Sequence, residues 1–350
     1  MECLVTSLHG ECVVTASKDG TIIVWDAARG VVSREWLAHR GGVHHLALSP
    51  DGRRLVSLGR SGSQVATVWD LTNDVHKAAV LEGHTGVVAA CAWSSDGTLI
   101  ASTSPDGTVR VWDAQTFEQR DLLVDPAHAS GYLRVLFSPD SRHLVAWTPQ
   151  LPKKWIGLVI WRPLTGEPPT RIPAISSSVG PSDRIEALSF DTESRRIVTA
   201  HGSEESCESV IRIWDVATGV VLKELGGNGG LPTDVSFSPD GRSILSVSCD
   251  GFSQIWDAKN RRGKTFLGEG RKYTNMVRAG LSPDGKYVVT STWGAEVQLW
   301  RMKDGSCAAT FTEHQARVLH VAFSSDGEYL ASGDLDGVVY IRRLSNLIVH

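Results

Sequence analysis

The chain has 350 residues, with 35 Lys+Arg against 39 Asp+Glu, a formal net charge of −4, and 41% hydrophobic residues. This is globular composition, which excludes an extended disordered chain or a long coiled coil. The slight acidic excess argues against general nucleic-acid binding. No apolar run reaches the roughly eighteen residues of a spanning helix, so no membrane partner is expected.

Met1-Glu2-Cys3-Leu4 shows no basic region followed by an apolar one, so no signal peptide is read. Six cysteines (Cys3, Cys12, Cys91, Cys207, Cys249 and Cys307) form no CxxC pair, and there is no Asn-x-Ser/Thr sequon. The expectation is reduced thiols in a cytoplasmic protein, with the nucleus as the second compartment.

Tryptophan sets the organisation. Trp25, Trp69, Trp112, Trp161, Trp214, Trp256 and Trp300 recur in one local frame, with gaps of 44, 43, 49, 53, 42 and 44 residues. A period in the forties marks a repeat architecture. The first unit, 1–38, reads as four strands: CLVTSL, ECVVTAS, TIIVWD and VVSREWL. The second, 39–83, ends its third strand in Trp69-Asp70. The third, 84–126, is the clearest: VVAACAW, TLIASTS, TVRVWD and RDLLVD, with Ser-Asp-Gly and Pro-Asp-Gly between the first three runs. Glycine there supplies the positive φ of a tight hairpin. A lone four-stranded meander leaves apolar surface on both faces, and stacking copies buries it.

The fourth unit, 127–175, carries Trp161-Arg162 and a long segment between its second and third strands, from Trp147 to Trp155. The fifth, 176–227, has an acidic counterpart, HGSEESCESV, at 201–210. The sixth and seventh, 228–269 and 270–313, end their third strands in Trp256-Asp257 and Trp300-Arg301. The eighth, 314–350, places Arg342-Arg343 where Trp-Asp would stand, and SNLIVH is expected to supply its fourth strand.

With Gly83-His84, Ser-Pro-Asp-Gly at 49–52, 238–241 and 282–285, and Trp-Asp at five strand ends, the whole chain resembles the WD-repeat β-propeller family. The expected fold is therefore all-β: an eight-bladed propeller of four-stranded antiparallel blades. Seven blades plus a divergent unit is the alternative. The family often closes its ring by pairing an N-terminal strand with the last blade, and no residues for that strand are seen here. Either residues 346–350 close the eighth blade, or the chain belongs to a longer protein.

The resemblance implies a buried hydrogen-bond chain inside each blade. In the third it maps to His84, Ser102, Asp106 and Trp112. Such a chain satisfies a turn carboxylate and an indole N–H that would be costly to bury alone. The first unit offers Thr15, Asp19 and Trp25, the sixth Ser246, Asp250 and Trp256, and the eighth His314, Ser332, Asp336 and Arg342. These residues are read as structural rather than catalytic.

Nothing else assembles into chemistry. His44 and His45 share a first strand, so alternation turns them to opposite faces and makes a joint metal site unfavourable. HExxH and GxSxG are absent. Gly263-Lys264-Thr265 resembles the end of a phosphate loop, but the glycine required upstream is Ala258. KNRRGK at 259–264 reads as a solvated turn. No catalytic residue, metal site or cofactor is assigned.

Candidate partner-binding residues lie on one rim. In the family, loops between second and third strands share a rim with those joining blades; this rim is called the top. It would set Lys153, Lys154 and Trp155 beside Glu204, Glu205 and Glu208, on loops that tolerate insertion. The residues matched to the channel mouth are Leu4, His44, Ala89, Leu133, Glu186, Thr233, Val277 and Leu319, with Arg184, Asn275 and Arg317 further out. The functional expectation is a non-enzymatic scaffold, monomeric on its own, that presents this face to peptides or proteins. A ligand-recognition domain of a larger protein and an enzyme using the channel mouth are the alternatives.

Overall fold

The computed structural model describes residues 3–7, 11–60, 62–125, 131–148, 157–172, 184–202, 209–226, 230–249, 253–259, 263–266, 276–292 and 294–346. They form two compact units, residues 1–173 and 174–350.

The first unit holds four antiparallel sheets, each a meander in chain order. Blade 1 is β1 (Cys3–Thr6), β2 (Cys12–Ala16), β3 (Thr21–Asp26) and β4 (Val31–Leu37). Blade 2 is β5 (Val43–Leu48), β6 (Arg54–Gly59), β7 (Ala66–Asp70) and β8 (His76–Leu81). Blade 3 is β9 (Ala90–Trp93), β10 (Leu99–Thr103), β11 (Thr108–Asp113) and β12 (Gln119–Val124). Blade 4 is β13 (Arg134–Phe137), β14 (Leu144–Trp147), β15 (Leu158–Trp161) and β16 (Thr170–Ile172).

The second unit repeats the plan. Blade 5 is β17 (Arg184–Phe190), β18 (Arg196–Gly202), β19 (Ser209–Asp215) and β20 (Val221–Leu225). Blade 6 is β21 (Pro232–Phe237), β22 (Ser243–Ser248), β23 (Ser253–Asp257) and β24 (Gly263–Phe266). Blade 7 is β25 (Met276–Leu281), β26 (Tyr287–Thr292), β27 (Val297–Arg301) and β28 (Cys307–Phe311). Blade 8 is β29 (Val318–Phe323), β30 (Tyr329–Asp334) and β31 (Val339–Arg343).

The fold is thus a β-propeller with eight blades; residues 318–343 form a sheet of their own, so the seven-blade alternative falls. Leu344–Asn346 is a 3-10 turn, and blade 8 has three strands among the described residues; residues 347–350, the rest of the segment expected as its fourth strand, lie outside them. Gly263-Lys264-Thr265 lies within β24, paired with β23, which is extended backbone and not a phosphate-cradling loop.

Within each unit the first strands pack side by side, β1–β5–β9–β13 and β17–β21–β25–β29. The second and third strands carry the core. Val14, Ala16, Ile22 and Val24 of blade 1 meet Leu55, Trp69 and Leu71 of blade 2. Val56, Leu58, Ala66 and Val68 of blade 2 meet Ile100, Trp112 and Ala114 of blade 3. Blades 5 and 6 repeat this with Trp256. Trp69, Trp112, Trp161 and Trp256 are each inserted from a third strand against the preceding blade. At roughly 1.5–3 kcal/mol per fully buried large apolar side chain, these junctions are the main favourable term.

The hairpin turns explain their own sequence. In Ser49-Pro50-Asp51-Gly52 the Ser49 hydroxyl donates to Asp51 at 2.6 Å and accepts from Arg54 N–H at 2.9 Å. Gly52 sits at φ +70°, which costs glycine nothing. Blades 4 and 5 lack the glycine and hold Ser141 and Ser194 at φ 62° and 59° instead.

Candidate interaction face

The tryptophan chain is the most conspicuous cluster of chemistry-bearing groups. In blade 3 the Trp112 indole donates to Ser102 Oγ at 2.9 Å, and Ser102 Oγ lies 2.9 Å from His84 Nε2. His84 Nδ1 lies 2.9 Å from Asp106 Oδ2, so Nδ1 carries the proton and Nε2 accepts from the serine. The distances are those of a Ser-His-Asp triad. The environment is not: Ser102 is 1% and His84 5% exposed, and the serine already receives the indole proton.

Burial disfavours the His84 imidazolium and lowers its pKa against the pull of Asp106. Burial would raise the Asp106 carboxyl. Hydrogen bonds from Thr108, from the Thr85 N–H and from His84 outweigh it and hold the group well below the usual carboxylate range.

The motif recurs with substitutions. Trp25 donates to Thr15 at 2.9 Å, Trp256 to Ser246 at 2.8 Å and Trp300 to Thr290 at 3.0 Å. In blade 2, Trp69 and His39 converge on Ser57 at 2.8 and 2.7 Å. In blade 5 the histidine comes from the strand itself: Trp214 donates to Thr199 at 2.7 Å, and Thr199 meets His201 at 2.7 Å.

In blade 8 the reading from sequence is corrected. His314 meets Ser332 and Asp334, each at 2.8 Å. Asp334, at the end of β30, takes the place expected for Asp336, whose own N–H donates to Asp334 at 3.1 Å. Arg342 replaces the tryptophan. Its guanidinium donates to Ser332 at 2.9 Å and stacks over Phe311 of blade 7 at 4.6 Å and over Tyr340 at 4.8 Å. A planar cation can both donate and stack, so it fills both roles of an indole. Asp250 lies outside the described residues.

The top rim is built from tethers between connecting loops and turns. Val43 N–H donates to Ser17 O at 3.0 Å, Val88 N–H to Ser63 O at 3.0 Å and Tyr132 N–H to Ser104 O at 3.1 Å. Each bond ties the loop entering one blade to the second turn of the blade before it. The approach is close: a Cβ on Gly20, at φ +94°, would lie 1.7 Å from His39 O.

First strands begin here, and five of the eight residues matched to the mouth share one feature. His44, Glu186, Thr233, Val277 and Leu319 are each the extra residue of a β-bulge at the start of β5, β17, β21, β25 and β29. A bulge re-aims side chains. It overturns the expectation that His44 and His45 face apart. Both reach towards β9 and its entry, His44 Nε2 to Ala89 O at 3.3 Å and His45 Nε2 to Cys91 O at 2.9 Å. Burial depresses His45 to about 4. In the second unit Asp234, next to the β21 bulge, is raised by burial to about 6 although Arg278 opposes the shift.

Other expected site residues are distributed unevenly. Arg184 opens β17, and Arg317 directly precedes β29, both partly buried. Lys153, Lys154, Trp155, Glu204, Glu205, Glu208 and Asn275 lie outside the described residues. Trp147 and Thr148, at the start of the segment expected between the second and third strands of blade 4, are buried, at 8% and 6%, with Thr148 bonded to Gly131 O at 2.9 Å. His201, Gly202, Ser209 and Val210 of the expected acidic loop belong to β18 and β19, and its residues 203–208 lie outside the described residues.

On the opposite rim, clefts of about 990, 600 and 740 Å³ lie between blades 1 and 2, 2 and 3, and 6 and 7. Each is lined by turns from two blades. Their recurrence makes them a product of blade packing. No group of three metal-ligating side chains occurs among the described residues.

The family described as "WD domain, G-beta repeat" matches residues 2–26, 30–70, 76–113, 219–257 and 305–342, more than half of the chain. The chain is 23% identical over 331 residues to autophagy-related protein 16 of Arabidopsis thaliana, covering 93% of this chain and 61% of that one. It is 25% identical over 305 residues to the target of rapamycin complex subunit wat1 of Schizosaccharomyces pombe, with coverages of 85% and 76%. It is 28% identical over 301 residues to apoptotic protease-activating factor 1 of Rattus norvegicus, of which it spans only 22%. The repeated match, the third-strand tryptophans and the eight meanders agree: the chain belongs to the WD-repeat family of β-propellers.

Proposed function

We propose that this chain is a non-enzymatic interaction scaffold that presents its top-face loops and first-strand entries to peptide or protein partners. The observation that carries this reading is the consumption of the reactive-looking groups. His84, Ser102 and Asp106, and again His314, Ser332 and Asp334, are buried and bonded within their blades. No nucleophile among them is open to a substrate. Two relatives bear names that place them in assemblies, a target of rapamycin complex subunit and an anaphase-promoting complex subunit of Dictyostelium discoideum.

Lys153, Lys154 and Trp155, with Glu204, Glu205 and Glu208 on the next blade, are proposed as contact residues of the loops. His44, Glu186, Arg184 and Arg317 are proposed at the strand entries. The test is affinity capture from lysate with the chain and with Lys153→Glu/Lys154→Glu as baits. A protein held by the first and released by the folded variant supports the assignment. Equal capture moves the contact elsewhere, and no capture removes the reading.

The second reading is a ligand-recognition module within a longer protein. It is favoured by coverage, because the chain spans 61%, 50% and 22% of three of its relatives. Sequencing the full gene and testing capture with the flanking segments present separates the two.

A further inference from the structure

The outer edge of blade 1 combines an open strand, exposed apolar side chains and a cleft. β4 ends its sheet and pairs with β3 alone. Its outward N–H and C=O groups thus have no neighbouring strand among the described residues, which makes them a template for an added one. At seven residues β4 is the longest fourth strand described, the others running from three to six. No lysine or proline blunts it.

Register sorts its side chains. Arg34 lies opposite Val24 and Trp36 opposite Ile22, so both face blade 2. There Arg34 donates to the Leu71 carbonyl, and the Trp36 ring lies 5.6 Å from that of Trp69. Val32, Glu35 and Leu37 lie opposite Trp25, Ile23 and Thr21, so they share the other face. Val32 is 47% and Leu37 61% exposed. Glu35, between them, is exposed and makes no ion pair among the described residues. The cation of this strand is turned inward, and the charge on its open face is a carboxylate.

Near its start β4 borders the cleft of about 990 Å³ between blades 1 and 2, which Ser33 and Arg34 line together with Trp25, Asp51, Arg53 and Leu71. Neither of the other two clefts described on that rim is lined by a fourth strand. Open edge and cleft are therefore continuous at Ser33.

We infer that β4 takes up an extended segment of a partner protein as a fifth strand of blade 1. A basic side chain of that segment meets Glu35, apolar side chains on either side of it cover Val32 and Leu37, and the segment continues past Ser33 into the cleft. Main-chain hydrogen bonds supply affinity, and alternate side chains supply specificity. The inference goes beyond the scaffold reading, because it places a contact on the outer edge of a blade and not on the top face.

The test is selection of random short peptides, displayed on phage, against the full chain, followed by affinity and amide hydrogen exchange measurements with the enriched peptides. These peptides are expected to carry Lys or Arg alternating with apolar residues, to slow exchange across residues 31–37, and to bind more weakly as salt rises. Glu35→Lys should weaken them by about tenfold or more. Val32→Ser/Leu37→Ser should weaken them as well. These side chains are exposed, so both variants should fold; if one does not, the exchange pattern of the unmodified chain decides the matter. No enrichment, enrichment without basic residues, protection confined to other strands, or unchanged affinity in both folded variants overturns the inference. Peptides lost with Lys153→Glu/Lys154→Glu but retained by Glu35→Lys overturn it while leaving the scaffold reading intact.

Discussion

Trp112 shows what a single side chain does here. It fills the junction between blades 2 and 3 and donates to a buried serine. Trp112→Ala should cost roughly 3–5 kcal/mol in chemical denaturation, combining lost transfer energy with a cavity. Trp112→Phe keeps most of the volume but deprives Ser102 of its donor, and should cost about 1–2 kcal/mol. Equal losses in the two variants would mean that packing counts for nothing here. His45 makes a pH prediction. Its folded pKa of about 4 lies below the ordinary imidazole value of 6.5, so the unfolded chain binds the proton first. Stability is therefore lost as pH falls from about 6.5 to 4, by roughly 2–3 kcal/mol at most. Asp234, raised to about 6, acts in the opposite sense and favours the folded state as pH falls through 6 towards 4. Melting curves across that range should be steeper for Asp234→Asn than for the parent chain, and shallower for His45→Gln.

Blades are the units in which these residues cooperate, and blade 8 tests the logic best. Arg342 holds the position of the tryptophan and does its work through a stack on Phe311 and a bond to Ser332. Arg342→Lys keeps the charge but loses the planar fork, and should lower stability by about 1–2 kcal/mol. Asp334→Ala leaves His314 and two turn N–H groups without their acceptor, whereas the Asp336 side chain supports nothing comparable. The expected losses are about 2–3 kcal/mol for Asp334→Ala and under about 1 kcal/mol for Asp336→Ala. The reverse order would restore the assignment read from the turn sequence. Gly20 makes the same argument for the loops. Gly20→Ala forces a Cβ against the His39 carbonyl at positive φ and should cost about 2–4 kcal/mol, detectable as a lower melting temperature.

Across the whole molecule, stability is spread over repeated junctions rather than held in one centre. Charge reversal on a surface loop should then leave folding nearly untouched. Lys153→Glu/Lys154→Glu is expected to shift the melting temperature by no more than about 1–2 °C. A large drop would make that loop structural and end its candidacy as a contact surface.

The period of the tryptophans, the Asp-Gly turns and the alternating runs were enough to count eight blades and to place each third strand, because these signals are local and repeat. The network in blade 3 was legible for the same reason, since His84, Ser102, Asp106 and Trp112 stand at fixed offsets within one meander. What depended on tertiary structure was every choice between near-equivalent neighbours. Asp334 prevails over Asp336 because the strand end, not the turn, faces His314. His44 and His45 turn the same way because a bulge interrupts the alternation that a strand by itself would impose. Trp147, placed on a loop by its neighbours in sequence, is buried at the end of β14. Which first strands lie side by side joins residues of different blades, and such contacts are set by packing that no local spacing encodes.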